Sequence, residues 1–166
     1  HSVKINSDGS IQSEEGFAAS GVIARDSVSF LGATGKIYEG LSDPLVIEAL
    51  ALRDTLAFAL ERGYEQVIAE QIIAETDCEV LLKQWNNRRD DRSVIKPILD
   101  EICELGSLCP SFSVVFAHRE ANQAAHCCAK YALLQMAPFT WDAEPPAFLV
   151  HSLEADCTLF WLINKA

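Results

Sequence analysis

Apolar and polar residues alternate along the first part of the chain in the manner of half-buried strands. The alternation over residues 3–7 predicts a first strand that ends at the turn pair Asp8-Gly9. A second strand is predicted at about residues 19–25, and a third at about residues 28–34, where Gly35 ends it. Three short strands joined by short links predict an antiparallel meander.

The period of the hydrophobic pattern changes to that of a helix at Asp43-Pro44. Asp43 suits the N-cap and Pro44 suits the first helical position, while Gly63 supplies a stop. Apolar residues recur at helical spacing between these limits, at Leu45, Ala49, Leu52, Leu56 and Ala59.

The remaining elements predict a mixed α/β sheet. An apolar run at residues 67–76 predicts a fourth strand, and Asp77 and Ser93 are expected to cap two further helices. A fifth strand follows at residues 112–117, and a last helix at about residues 122–135. The order βββαβααβα predicts helices packed on the faces of the sheet. A right-handed crossover would place the fourth strand beside the first and parallel to it.

The chain divides into a predicted domain, residues 1–137, and a C-terminal extension, residues 138–166. A chain of 166 residues is long enough for one domain with a sizeable core. Pro145-Pro146 interrupts the second segment, and we expect that segment to have little structure. Because the sequence begins at His1 rather than Met, we expect it to be a fragment of a longer protein.

Composition limits the classes of function. No apolar stretch approaches the ~20 residues that span a bilayer, so no membrane partner is expected. The net charge of −11, from 24 acidic and 13 basic residues, argues against binding to nucleic acid driven by a basic surface. It does not argue against a metal-dependent enzyme, because divalent cations at a carboxylate cluster reverse the local field.

The six cysteines have neither the spacing of zinc ligands nor the context of a disulfide framework. We therefore expect reduced, mostly buried thiols in a reducing intracellular compartment, nuclear or cytoplasmic.

Three carboxylates stand at the edges of predicted elements, and each alone is ambiguous. Asp8 precedes a glycine and is typical of a turn. Glu48 lies at the border of the apolar helix stripe, where a glutamate often extends to solvent. Asp77 is typical of a helix N-cap. The predicted topology nevertheless brings all three together, and converging carboxylates are tolerated only with a bound cation or a proton. Oxygen ligands of this kind favour Mg²⁺ or Mn²⁺.

Five segments extend this pattern from about residue 3 to residue 134: Val3-Lys4-Ile5-Asn6-Ser7-Asp8-Gly9, Gly21-Val22-Ile23-Ala24-Arg25-Asp26, Glu48-Ala49-Leu50-Ala51-Leu52-Arg53, Glu75-Thr76-Asp77-Cys78, and Arg119-Glu120-Ala121-Asn122 with Ala129-Lys130. In this order and nearly at this spacing they resemble the ribonuclease H fold, in particular plant reverse-transcriptase-like ribonuclease H domains related to non-LTR retroelements. The resemblance implies a five-stranded mixed sheet in the order 3-2-1-4-5, with strand 2 antiparallel and helices on both faces.

The same resemblance implies an activity. Enzymes of this family hydrolyse the RNA strand of RNA–DNA hybrids. By resemblance, Asp8, Glu48 and Asp77 would hold two Mg²⁺ (or Mn²⁺) ions ~3.5–4 Å apart, one activating water and the other stabilising the leaving 3′ oxygen. The implied partner is nucleic acid, an RNA–DNA hybrid or RNA, bound by a monomer.

Two histidines depart from the family pattern. His126 stands where the family usually has a fourth acidic ligand, a variant frequent in the plant group. A metal ligand, a proton carrier, and a helix histidine that is exposed or packed against the sheet all remain open for it. His118 lies two places later than the family's histidine, with Phe116 at the expected position, and it is interpreted as a loop histidine.

The fourth strand also carries an apparent duplication. Residues 67–70 are nearly repeated by residues 72–75, and we expect the second copy to occupy the sheet. A slip of one residue would invert the faces of the strand and misplace Asp77.

A second hypothesis is therefore a domesticated nucleic-acid-binding or interaction module that has lost turnover. The acidic charge, His126 and the lengthened strand favour that module, while the three carboxylates favour the nuclease. A 3′ exonuclease fits the order of the motifs poorly.

Overall fold

A six-stranded mixed sheet forms the centre of the computed structural model, which describes residues 1–67 and 70–164. The strands are β1 (Ser2–Gln12), β2 (Phe17–Arg25), β3 (Phe30–Glu39), β4 (Gln71–Thr76), β5 (Phe112–Phe116) and β6 (Phe139–Asp142). The α-helices are α1 (Pro44–Arg62), α2 (Tyr64–Val67), α3 (Glu79–Asn86), α4 (Lys96–Gly106), α5 (Gln123–Gln135) and α6 (Ala147–Asn164). A 3-10 turn, Arg119–Ala121, lies between β5 and α5.

The strand order is β5-β4-β1-β2-β3-β6. Strands β1, β2 and β3 form the predicted antiparallel meander, and β4 lies parallel to β1 with β5 parallel to β4. The predicted order 3-2-1-4-5 is therefore confirmed. The sixth strand, β6, is an addition that pairs antiparallel with β3.

Helices cover both faces of the sheet, because alternate residues of one strand contact different helices. On β2, Val22 and Ala24 join the core cluster that contains α1 and α4 residues such as Leu52 and Leu99. Ile23, between them, joins the cluster formed with α5 and with Leu149 of α6. The two-layer burial confirms the predicted packing of helices on both faces.

The expectation of little structure after residue 137 is wrong. Phe139 and Trp141 alternate with polar neighbours, and both rings pack on Tyr131 of α5. Leu149 of α6 is fully buried. The second segment therefore adds a strand and a helix to the fold, because its apolar residues complete a core that the preceding residues leave open. The proposed boundary at residue 137 stays a prediction.

Two strands are longer than their turn residues predict. β1 continues through Asp8 and Gly9, which pair with Gly21 and Ser20 of β2, so the predicted end at Asp8-Gly9 is wrong. β3 continues through Gly35, which pairs with Gly21 of β2. A side chain at Gly35 would collide with the ring of Phe139. Pairing with neighbouring strands has overridden the local turn preference at both sites.

Most predicted helix limits agree with the structure. Asp43 caps α1 by accepting from the Leu45 N–H at 2.9 Å, and Gly63 ends the helix in a left-handed conformation. The predicted cap Ser93 lies outside α4, whose N-cap is Ile95.

The duplicated stretch forms its strand from the second copy. Ile72 pairs with Val3, and the register continues to the pairing of Thr76 with Ser7. Val67 ends α2, and Ile68 and Ala69 lie outside the described residues. The prediction that the second copy occupies the sheet is therefore confirmed.

Two further observations concern expected properties. None of the described helices combines the length and apolar character needed to cross a bilayer. Among the cysteines with described side chains, Cys109 and Cys128 are buried, Cys78, Cys103 and Cys127 are half-buried, and all five carry free thiols.

Candidate metal centre

Three carboxylates meet at one edge of the sheet. Asp8, Glu48 and Asp77 each offer an oxygen atom, and these atoms all lie within 4.8 Å of one another. The parallel register that pairs Ser7 with Thr76 sets Asp8 of β1 beside Asp77, the residue that directly follows β4. Glu48 approaches from α1, which packs on β1. The predicted topology therefore brings together the three residues that the sequence predicts as ligands.

The local explanations for two of these carboxylates do not hold. Asp8 lies within β1, where it pairs with Gly21, and is not part of a turn. Cys78, rather than Asp77, occupies the N-cap position of α3, so the predicted capping role is wrong. Both carboxylates are thus available for another purpose.

Burial and mutual repulsion favour protons at this centre. Removal from water, followed by the charges of Asp8 and Asp77, raises the pKa of Glu48 to about 9. The Gly9 N–H donates to Glu48 Oε1 at 3.4 Å and opposes this shift. Burial and Asp77 also raise the pKa of Asp8, although His126 acts in the opposite direction. Without a cation, the cluster therefore binds protons at neutral pH.

The fourth position of the cluster belongs to a histidine. His126, on α5, places Nδ1 at 2.6 Å from Asp8 Oδ2, and its side chain is 29% exposed. The imidazole therefore forms a hydrogen bond with a carboxylate of the cluster. With a proton on Nδ1, the ring is the donor in this bond.

A cavity of about 670 Å³ opens above the carboxylates. His118 and Arg119 line it, together with Phe116, whose ring meets that of His118 edge to face at 5.2 Å. His118 is predicted to be a loop residue, and Arg119 is predicted only as part of a family motif, without a role at the site. A signal was available, because both follow β5, whose end lies beside that of β4 at the same sheet edge.

A buried polar network supports the centre from behind. Asn6 donates through Nδ2 to Glu75 Oε2 at 2.9 Å and to Asn122 Oδ1 at 3.0 Å. Glu75 also pairs with Lys4 at 3.3 Å and Arg25 at 3.5 Å. This network is not predicted from the sequence, because its members are ordinary polar residues whose contacts depend on strand register. It ties β1, β4 and the start of α5 together.

The family described as reverse transcriptase-like matches residues 6–132. No curated protein matches the chain by sequence. Among solved structures, ribonuclease H1 from the archaeon Halobacterium salinarum NRC-1 is similar, with a TM-score of 0.71 and 20% identity over 81% of this chain and 99% of that one.

Two further structures are similar to the same extent. LC11 ribonuclease H1, isolated from compost by a metagenomic approach and solved in complex with an RNA/DNA hybrid, has a TM-score of 0.70 and 19% identity, over 81% of this chain and 98% of that one. The N-terminal ribonuclease H domain of rv2228c from Mycobacterium tuberculosis has a TM-score of 0.69 and 19% identity, over 81% and 94% of the two chains. Identities at this level establish a shared fold. Because the match to the reverse transcriptase-like family covers most of this chain, the chain belongs to that family, and it has the ribonuclease H fold.

Proposed function

We propose that the protein is a divalent-metal-dependent endonuclease that hydrolyses the RNA strand of RNA–DNA hybrids. The convergence of the Asp8, Glu48 and Asp77 oxygens within 4.8 Å carries this proposal. Membership in the reverse transcriptase-like family supports it. So does the likeness in fold to LC11 ribonuclease H1, which was solved with an RNA/DNA hybrid.

The donor set fits a hard divalent cation. All three ligands are carboxylate oxygens, which Mg²⁺ and Mn²⁺ prefer. Glu48 Oε2 is buried and has no hydrogen-bond partner among the described residues, so a cation would satisfy an atom that is otherwise orphaned. When bound, two such ions would supply Lewis-acid stabilisation of the attacking and leaving oxygens of a phosphodiester.

The residues around the ligands have roles in this proposal. His126 fixes the orientation of the Asp8 carboxylate through its 2.6 Å contact and exchanges a proton with solvent through its other nitrogen. Arg119 supplies a positive charge at the cavity, where the phosphate chain of a substrate would approach. Preference for RNA would arise from contacts to 2′-hydroxyl groups across the wide minor groove of an A-like duplex.

The acidic surface predicts modest affinity for the substrate. With a net charge of −11, the protein repels a polyanion except where cations are bound. We therefore expect binding to require divalent ions, which reverse the local field at the carboxylates.

A cleavage assay tests the proposal. A hybrid labelled on the RNA strand, and matched DNA and RNA duplexes, are incubated with Mg²⁺ or Mn²⁺ and the wild-type protein, Asp8→Asn or Asp77→Asn. The exposed Glu79→Gln, two residues from Asp77, is the matched control. We expect the wild type and the control to cut only the hybrid and the two aspartate variants to lose cleavage. Absence of cleavage by a folded wild type with both metals would overturn the proposal.

The hypothesis of a non-catalytic binding module has one specific observation in its favour. His126 stands where the family usually has a fourth acidic residue, so the centre has one negative ligand fewer. Its Nδ1 also forms a hydrogen bond with an oxygen of Asp8. The same assay, combined with fluorescence anisotropy of the labelled hybrid, distinguishes the two. Binding without cleavage identifies the module.

A further inference from the structure

Helix α5, which carries His126, begins without a cap from its own N-cap residue. Asn122 occupies the N-cap position, but its side chain makes no capping bond to the described N–H groups of the helix. Its Nδ2 instead donates to the Ser7 carbonyl at 2.9 Å, and its Oδ1 accepts from Asn6. The asparagine thus anchors β1 and leaves the first turn of α5 in need of an acceptor.

That acceptor comes from the C-terminal helix. Asp156 of α6, 32 residues further along the chain, accepts from the Ala124 N–H at 3.0 Å through Oδ2. Asp156 is 2% exposed, and burial raises the pKa of its carboxyl, while the Ala124 N–H and the charge of Arg25 act in the opposite direction. A carboxylate at the positive end of a helix is stabilising, and more so when it is partly buried. α6 holds this position by burying Leu149 in the cluster that includes Ala124.

We propose that Asp156 is a positioning residue for the carboxylate centre. By holding the Ala124 N–H it fixes the first turn of α5, and so the imidazole of His126 two residues later. The His126 N–H closes the same turn by donating to the Asn122 carbonyl at 3.2 Å. The 2.6 Å contact between His126 and Asp8 therefore depends on two anchors, Asn122 on one side and Asp156 on the other.

This inference adds a role for the segment after residue 137. The aspartate that completes the start of α5 comes from α6, so α6 shapes the centre without touching it. Only the kinetic arm of the test rests on the proposed function.

The first arm of the test is activity-independent. Nuclear magnetic resonance of the full-length, metal-free chain follows the Ala124 amide and the ring signals of His126 in the wild type, Asp156→Ala and Asp156→Asn. We expect Asp156→Ala to shift both. Asp156→Asn keeps an oxygen acceptor and should restore most of the His126 signal position. Ile102→Ala, which opens the core between α1 and α4, is a destabilised control that should leave His126 unshifted.

The second arm is kinetic. We expect Asp156→Ala to lower kcat by about 10-fold with KM changed less than about 2-fold, as is usual when a supporting hydrogen bond is removed from a metal centre. Asp156→Asn should recover most of this loss, and Ile102→Ala, assayed well below its Tm, should show none. If the wild type does not cleave, the proposed function fails and the resonance arm alone decides this inference.

Two results would overturn the inference. One is an Asp156→Ala protein in which the Ala124 amide moves while the His126 ring does not, since Asp156 would then cap the helix without influence on the centre. The other is an equal loss of kcat in Asp156→Ala and Ile102→Ala. If Asp156→Ala does not fold, Asp156→Ser replaces it, with the same expected shifts, because the shorter side chain does not reach the Ala124 N–H.

Discussion

Raising the pH should destabilise the metal-free protein, because Glu48 holds a proton that the unfolded chain has lost. Its pKa is about 9 in the folded protein and 4.5 when unperturbed. Between these values the folded state binds more protons than the unfolded state, so the free energy of unfolding falls as the pH rises. The stabilising effect of this proton is complete below the lower value and is lost as the pH passes the upper one.

The magnitude follows from a single proton. One proton of difference lowers the free energy of unfolding by about 3 kcal/mol between pH 6 and pH 8. The raised pKa of Asp8 acts in the same direction. A divalent cation replaces the proton, so its stabilising effect should be larger at pH 8 than at pH 6.

Urea unfolding with a chelator at pH 6, 7 and 8 measures this slope. Glu48→Gln, which mimics the protonated side chain, should be less sensitive to pH, while the exposed Glu101→Gln should behave as the wild type does. Adding Mg²⁺ should recover stability at pH 8 in the wild type and much less in Glu48→Gln. A slope in Glu48→Gln equal to that of the wild type would refute the assignment of the proton to this centre.

Three substitutions outside the centre test the packing around it by chemical denaturation. Gly21→Ala should destabilise the fold by about 3 kcal/mol, because a Cβ at residue 21 meets the main chain of Ala125 where β2 packs on α5. A near-neutral effect would contradict that close approach. Leu149→Ala should cost about 2–5 kcal/mol, since the side chain is fully buried, and no loss would mean that α6 does not pack on α5. Asp54→Ala should cost about 3–5 kcal/mol, because the buried carboxylate bonds Tyr38 at 2.6 Å and pairs with cationic side chains; a Tyr38→Phe change should be milder.

The sequence predicts the centre well because the handedness of a crossover is a general property of sheets. A right-handed crossover places β4 beside β1, and that alone sets Asp77 next to Asp8. The helix with Glu48 is equally clear from its apolar period and its Asp43 cap. These features depend on short stretches of sequence or on rules that hold for many folds.

The features that the sequence analysis missed depend on partners far away in the chain. Asp8-Gly9 has the composition of a turn, yet ladder pairing with β2 keeps it extended. Asp156 has no local sign of a capping role, because the N–H that it caps belongs to Ala124, 32 residues earlier. Phe139 and Trp141 did carry a two-residue period, but over only four residues and between prolines.

Strand β6 has a consequence for the edge of the sheet that it occupies. Without it, β3 would expose a row of unpaired N–H and C=O groups, a template for strands of other chains. β6 has only four residues and pairs with residues 32–35 of β3. The Thr34 hydroxyl also donates to the Phe139 carbonyl at 3.0 Å, and the strand ends in the charged Asp142. Pro138 and Pro145-Pro146 flank it and lack the donors that a growing ladder needs. On this side, the sheet therefore ends in a strand of only four residues, with prolines on both sides of it.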